Sequence, residues 1–154
     1  MGAKILIVED VMMIAGMLRD ILQHAGYAVV GPATNVEQAI ALIGSMHIDA
    51  AIVDINLNGV MSYPAIDALV AYEVPFVIVT AYGRSGMLEA YRHHTILQKP
   101  YPHTHMRTLI AELLLPAKSA GRLSCAVPIG SERPEVRLPD LAFHEILDDR
   151  HNAA

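Results

Sequence analysis

Short apolar runs alternate with helical patterns along the first 116 residues. Lys4-Ile5-Leu6-Ile7-Val8 is a β-rich run of the kind that forms a strand buried on both faces. Met13, Ile14, Met17, Leu18, Ile21 and Leu22 then recur at helical spacing. Gly26 is placed to stop that helix, because glycine tolerates the left-handed conformation there. Ala28–Val30 predicts a second short strand, broken by Gly31-Pro32, and Asn35 is the expected N-cap of a helix carrying Val36, Ala39, Ile40, Leu42 and Ile43. Ala50–Val53 predicts a third strand. Ser62 is the expected cap of a helix through Ala65, Ile66, Leu69 and Val70, with Pro64 in its first turn. Phe76–Val79 predicts a fourth strand and Ile96–Gln98 a fifth, followed by a helix marked by Met106, Leu109, Ile110, Leu113 and Leu114. The intervening Gly83 to His94 has room for at most about three helical turns, so a helix there is expected to be stunted or mobile. The pattern predicts an α/β fold: (βα)₅, a doubly wound parallel five-stranded sheet with right-handed crossovers.

Beyond Leu115-Pro116 the character changes. Residues 117–154 contain Pro128, Pro134 and Pro139 with mixed charge and several small residues, too little for a second domain. The expected organisation is therefore one domain over 1–116 and a C-terminal extension over 117–154. Within the extension, Leu138, Leu141, Ala142, Phe143, Ile146 and Leu147 mark an amphipathic helix at about 139–150. It is either a loosely packed tail or a docking element.

Composition narrows the class. The chain is 53% hydrophobic and 18% charged, which favours a folded globular protein. Its net charge of −5, with Lys and Arg few and scattered, argues against nucleic acid as the main partner. A single cysteine, Cys125, forms no internal disulfide, so a reducing cytoplasm is the expected location. The N-terminus runs directly into a strand without a signal-peptide pattern, and no stretch approaches the roughly 18 apolar residues of a spanning helix.

Four of the strand-like runs end in polar chemistry. Glu9-Asp10 follows the first, Asp54 the third, Thr80 the fourth and Lys99-Pro100 the fifth. The C-terminal edge of an open parallel sheet is where ligand sites form. Each feature alone is ordinary: a strand-end aspartate is usually a loop cap, a Glu-Asp pair a solvated turn. Their conjunction is what points to phosphoryl transfer onto a carboxylate. An aspartate repels an incoming phosphate, so a divalent cation must bridge them, and Mg²⁺ takes one or two carboxylates with several waters. Glu9, Asp10 and Asp54 supply such carboxylates, with the backbone carbonyl of Asn56 as a further ligand. Lys99 would pair with Asp54 and then with a phosphoryl oxygen. The Thr80 hydroxyl would donate to another, and the small Ala81 leaves room for it.

These motifs, ILIVED, AAIVDINLNG, VIVTAYG and LQKPY, resemble the receiver domain of two-component response regulators over about residues 1–116. The resemblance implies a flavodoxin-like receiver fold with Asp54 as phosphoacceptor. It implies Glu9, Asp10, Asp54 and the Asn56 carbonyl as the Mg²⁺ site, Thr80, Ala81 and Lys99 as phosphoryl-stabilising groups, and Pro100 as a cis-peptide candidate. The aromatic residue that the family usually carries a few positions before the lysine is replaced here by Thr95, Ile96 and Leu97. Tyr82 instead follows Thr80-Ala81, which resembles a variant subgroup with a Phe-Ala-Thr-Gly-Tyr-like motif and makes Tyr82 a switch candidate.

The implied function is a stand-alone, cytoplasmic response regulator. Its partners would be a histidine kinase or phosphotransfer protein and a downstream protein target, with no direct DNA binding and no membrane insertion; a homodimer is left open. The alternative is a phosphorylation-independent scaffold of the same fold. A phosphatase using Asp54 as nucleophile is disfavoured, because its general acid would fall at Asn56, which cannot donate a proton in that way. His93-His94 and His103-x-His105 lack acidic or cysteine co-ligands and are expected to be solvated.

Overall fold

The computed structural model describes residues 2–116. The expected extension over 117–154, with its helix at 139–150, lies outside the described residues. The order is β1 (Lys4–Val8), α1 (Met12–His24), β2 (Ala28–Ala33), α2 (Val36–Ser45), β3 (Ala50–Asp54), β4 (Asn56–Leu57), β5 (Val60–Met61), α3 (Tyr63–Ala71), β6 (Phe76–Thr80), β7 (Ile96–Gln98) and α4 (His103–Leu114). Five strands form one parallel sheet in the order β2-β1-β3-β6-β7, the flavodoxin-like arrangement. The order reverses between β1 and β3, the point at whose C-terminal edge open α/β sheets place their ligand sites.

The continuous apolar runs are explained by burial on both faces: every residue of β3 and β6 is buried. Alternate side chains serve opposite layers. Leu6, Val8, Ala51, Val53 and Ile78 pack with Ala39 and Ile43 of α2 and Ala65, Ile66 and Leu69 of α3. Ile5, Ile7, Ile52, Val77 and Val79 pack with Ala15, Leu18 and Leu22 of α1 and Met106 and Ile110 of α4. Asn35 caps α2 as expected, its Oδ1 accepting the Gln38 N–H at 2.9 Å. Gly26 follows α1 with φ 89°.

Three expectations are corrected. The second strand does not stop at Gly31-Pro32 but runs through to Ala33, whose carbonyl accepts the Glu9 N–H at 2.9 Å. A shift of register between Leu6 and Val8 accommodates Gly31, at φ 90°; the Gly31–Pro32 peptide is cis. The segment between β6 and β7 is stunted, as its length predicts: Arg84–Gly86 and Glu89–Tyr91 are single 3₁₀ turns. The segment folds on Arg92, whose Nε donates to the Met87 carbonyl at 2.9 Å, and on the buried Met87 side chain. His94 is not fully solvated; its ring lies 4.9 Å from Phe76, and burial holds its pKa below the ordinary value. Finally, Met13 does not join the core of α1 but is 84% exposed, beside the exposed Met12 and Met17.

The hairpin β4–β5 is an element the apolar pattern does not mark. Its signal is Asn58-Gly59: both residues have positive φ, 53° and 88°, as the tight turn between two antiparallel strands demands.

Candidate functional site

Four of the five strands of the central sheet deliver a polar residue to one edge. Glu9 follows β1, Asp54 ends β3, Thr80 ends β6 and Lys99 follows β7. Lys99 Nζ lies 2.8 Å from Asp54 Oδ2 and 3.4 Å from Glu9 Oε2. One carboxylate oxygen from each of Glu9, Asp10 and Asp54 lies within 4.8 Å of the other two. Residues distant in sequence are thus drawn together because parallel strands place all their C-terminal ends on one side.

Main-chain bonds hold these groups. Asp54 Oδ1 accepts the Asn56 N–H at 3.1 Å, and Glu9 Oε1 accepts the Val11 N–H at 3.0 Å. Thr80 is buried; its Oγ1 accepts the Tyr82 N–H at 3.1 Å, and its carbonyl accepts the Lys99 N–H at 2.8 Å. The last bond ties the lysine to the end of β6. The Lys99–Pro100 peptide is cis. Ala81 is exposed beside Thr80, and the Tyr82 side chain is 70% exposed. Tyr82 therefore does not pack into the domain.

The electrostatics are those of crowded carboxylates under one cation. Glu9 is almost wholly buried, and burial pushes its carboxyl up to about 7. The Val11 N–H and Lys99 oppose that rise, while the Asp54 charge and a hydrogen bond with Asp10 add to it. Burial works against the charge of Lys99, but its hydrogen bond to Asp54 and the charges of Asp54 and Glu9 win, so its pKa is raised. The lysine stays protonated at neutral pH and its tighter partner is Asp54.

Three carboxylates converging at a sheet edge form an all-oxygen donor set, the chemistry that a hard divalent cation such as Mg²⁺ takes. Among the described residues this is the one cluster of three or more metal-ligating side chains. The residues present therefore fit the ion.

Ser62 is a residue of the site that its position at a helix start conceals. It stands before α3 but makes no side-chain cap; its buried hydroxyl donates to the Asp54 carbonyl at 2.5 Å.

Comparison with known proteins agrees with this geometry. The chemotaxis protein CheY of Thermotoga maritima is 30% identical over 90 residues, 57% of this chain and 75% of that protein. The receiver domain of PhyR from Erythrobacter litoralis superposes with a TM-score of 0.68 at 26% identity, covering 79% of this chain and 97% of that one. SdrG of Sphingomonas melonis gives a TM-score of 0.65 at 37% identity, over 74% of this chain and 98% of its own. The family model of the response regulator receiver domain matches residues 5–111, a span that contains every group of the acidic edge and its lysine. By that match and by the sheet order and acid cluster that underlie it, the chain belongs to the response regulator receiver domain family.

Proposed function

We propose that this chain is a cytoplasmic phosphoryl-accepting switch. A histidine kinase or phosphotransfer protein presents a phosphohistidine, and an Asp54 carboxylate oxygen attacks its phosphorus. The P–N bond breaks, a P–O bond to Asp54 forms, and the histidine nitrogen leaves with the bonding pair. The observation that carries this reading is the convergence of Glu9, Asp10 and Asp54 with Lys99 Nζ 2.8 Å from Asp54 Oδ2.

Glu9, Asp10 and Asp54, with the Asn56 carbonyl, would hold Mg²⁺, which supplies charge neutralisation between carboxylate and phosphoryl oxygens. Lys99 keeps its charge and turns from the Asp54 oxygen to a phosphoryl oxygen. The Thr80 hydroxyl, which accepts the Tyr82 N–H, has its own proton free to donate to another, and the small Ala81 leaves space beside it. A shift of Thr80 would thereby move the main chain of Tyr82, whose exposed ring is the signal read by a downstream protein. Output is by protein–protein contact, and a population shift of a few kcal/mol on phosphorylation suffices for it.

The test is intact mass after incubation with Mg²⁺ and a small acyl phosphate. A gain of one phosphoryl group in wild type, absent in Asp54→Asn and absent with a chelator, supports the reading. No gain in wild type with that donor or with a phosphorylated phosphotransfer protein leaves the fold as a scaffold and overturns it.

A further inference from the structure

We propose that Ser62 is a positioning residue for the phosphoacceptor, its hydroxyl fixing the main chain of Asp54 in the orientation that phosphoryl transfer requires. The inference rests on Asp54 being the acceptor.

A serine directly before a helix ordinarily turns its oxygen to the free N–H groups of the second and third helical residues. Here both are already removed from use. Pro64, the second residue, has no N–H, and the Ala65 N–H donates to the Ser62 carbonyl at 3.0 Å. The hydroxyl is thereby released at little loss to α3, and it reaches back eight residues to the Asp54 carbonyl. The same residue donates its N–H to the Ile55 carbonyl at 2.9 Å, while the Ile55 N–H donates to the Val79 carbonyl at 3.0 Å. The two peptide groups that leave β3 are thus gripped from the hairpin side by Ser62 and from the sheet side by β6.

The Asp54 side chain is carried on that held backbone. Its carboxylate has no partner but Asn56 N–H and Lys99 among the bonds described, and both must adjust when a phosphoryl group arrives. The fixed element is the main chain, and Ser62 is the side chain that fixes it. Ser62 is fully buried, so water does not replace the hydroxyl when it is lost. A small rotation of the 54–55 peptide displaces the attacking oxygen, and in-line transfer is sensitive to such displacement.

The experiment measures Asp54 phosphorylation by a small acyl phosphate in wild type, Ser62→Ala and Ser62→Thr, well below the melting temperature of each. For Ser62→Ala the maximal rate at saturating donor and Mg²⁺ is expected to fall about tenfold, with donor KM and Mg²⁺ Kd within about twofold of wild type. Ser62→Thr, which keeps the hydroxyl, is expected to recover most of the rate. A purely structural role lowers the melting temperature but leaves the maximal rate of the folded protein alone. That result, or a change confined to KM or Kd, overturns the proposal. If Ser62→Ala does not fold, Ser62→Cys, a near-isosteric weaker donor, carries the same comparison. Absence of phosphorylation in wild type, with the acyl phosphate and with a phosphorylated phosphotransfer protein alike, appears before any variant is made, and it overturns the acceptor reading itself.

Discussion

Lys99 Nζ sits 2.8 Å from Asp54 Oδ2, joining the residue after the edge strand β7 to the end of the central strand β3. The same ammonium lies 3.4 Å from Glu9 Oε2, so one cation serves two buried carboxylates. This bridge spans the sheet from β1 to β7. It makes the charge balance of the edge depend on a single side chain.

Removing that cation leaves the two carboxylates facing each other. Lys99→Met is expected to lower stability at neutral pH by about 1–3 kcal/mol, less than for a fully buried pair because the lysine is 25% exposed. The loss should shrink as pH falls below about 7, where Glu9 takes up a proton. Chemical denaturation at two pH values checks both statements, and the variant should also accept phosphoryl groups at least about tenfold more slowly.

Glu9 makes the site sensitive to pH near neutrality. Its carboxyl, raised by burial from 4.5 to about 7, holds an extra proton in the folded state between those values. Folded protein therefore binds more protons than unfolded protein there, so this group's contribution to stability falls as pH rises through the window. Mg²⁺ must displace the same proton, so its affinity is expected to tighten as pH rises from about 6 to 8. Calorimetric Mg²⁺ titrations across that range test this, and Glu9→Gln should flatten the dependence.

Gly31 is required by geometry rather than chemistry. At φ 90° it occupies a region that other residues resist, and an added Cβ would lie 2.8 Å from the Ala33 N and 3.0 Å from the Ile7 carbonyl oxygen. Gly31→Ala is expected to cost roughly 2 kcal/mol or more, measured as a shift in urea midpoint. Because the Ala33 carbonyl holds the Glu9 N–H, Mg²⁺ affinity should fall as well.

The segment 84–94 is pinned to α3 by two tyrosines. Tyr63 Oη accepts the Leu88 N–H at 2.9 Å, and its ring stacks on Tyr91 with centroids 4.4 Å apart. Tyr91 in turn donates to Asp67 Oδ1 at 2.9 Å. Tyr63→Phe is expected to leave global stability within about 1 kcal/mol while speeding hydrogen exchange at the Leu88 amide. Equal exchange in both proteins would show that the bond does not restrain the segment.

Much of this architecture was legible in the chain because parallel strands are buried on both faces and so read as continuous apolar runs. Lys4–Val8 and Ile96–Gln98 are strands with the expected limits, and the polar residues after the runs meet at one edge. What escaped was decided by backbone conformation and by contacts between residues far apart. Gly31-Pro32 reads locally as a break, yet β1 recovers the register beyond it through the Glu9–Ala33 bond. Ser62 reads locally as a cap, and only the fold shows the Asp54 carbonyl within its reach. The segment before β7 lacks an apolar helical stripe, consistent with its 3₁₀ turns, but the stacking of Tyr63 on Tyr91 depends on α3 lying alongside.

The central claim, that Asp54 is the phosphoacceptor, is tested most directly by trapping the phosphorylated protein with borohydride and mapping the modified residue. An aspartyl phosphate is reduced to homoserine, so the account predicts homoserine at position 54, formed only after treatment with both phosphodonor and Mg²⁺. Homoserine at another carboxylate, or a stable phosphate on a hydroxyl or histidine with Asp54 unmodified, would contradict it.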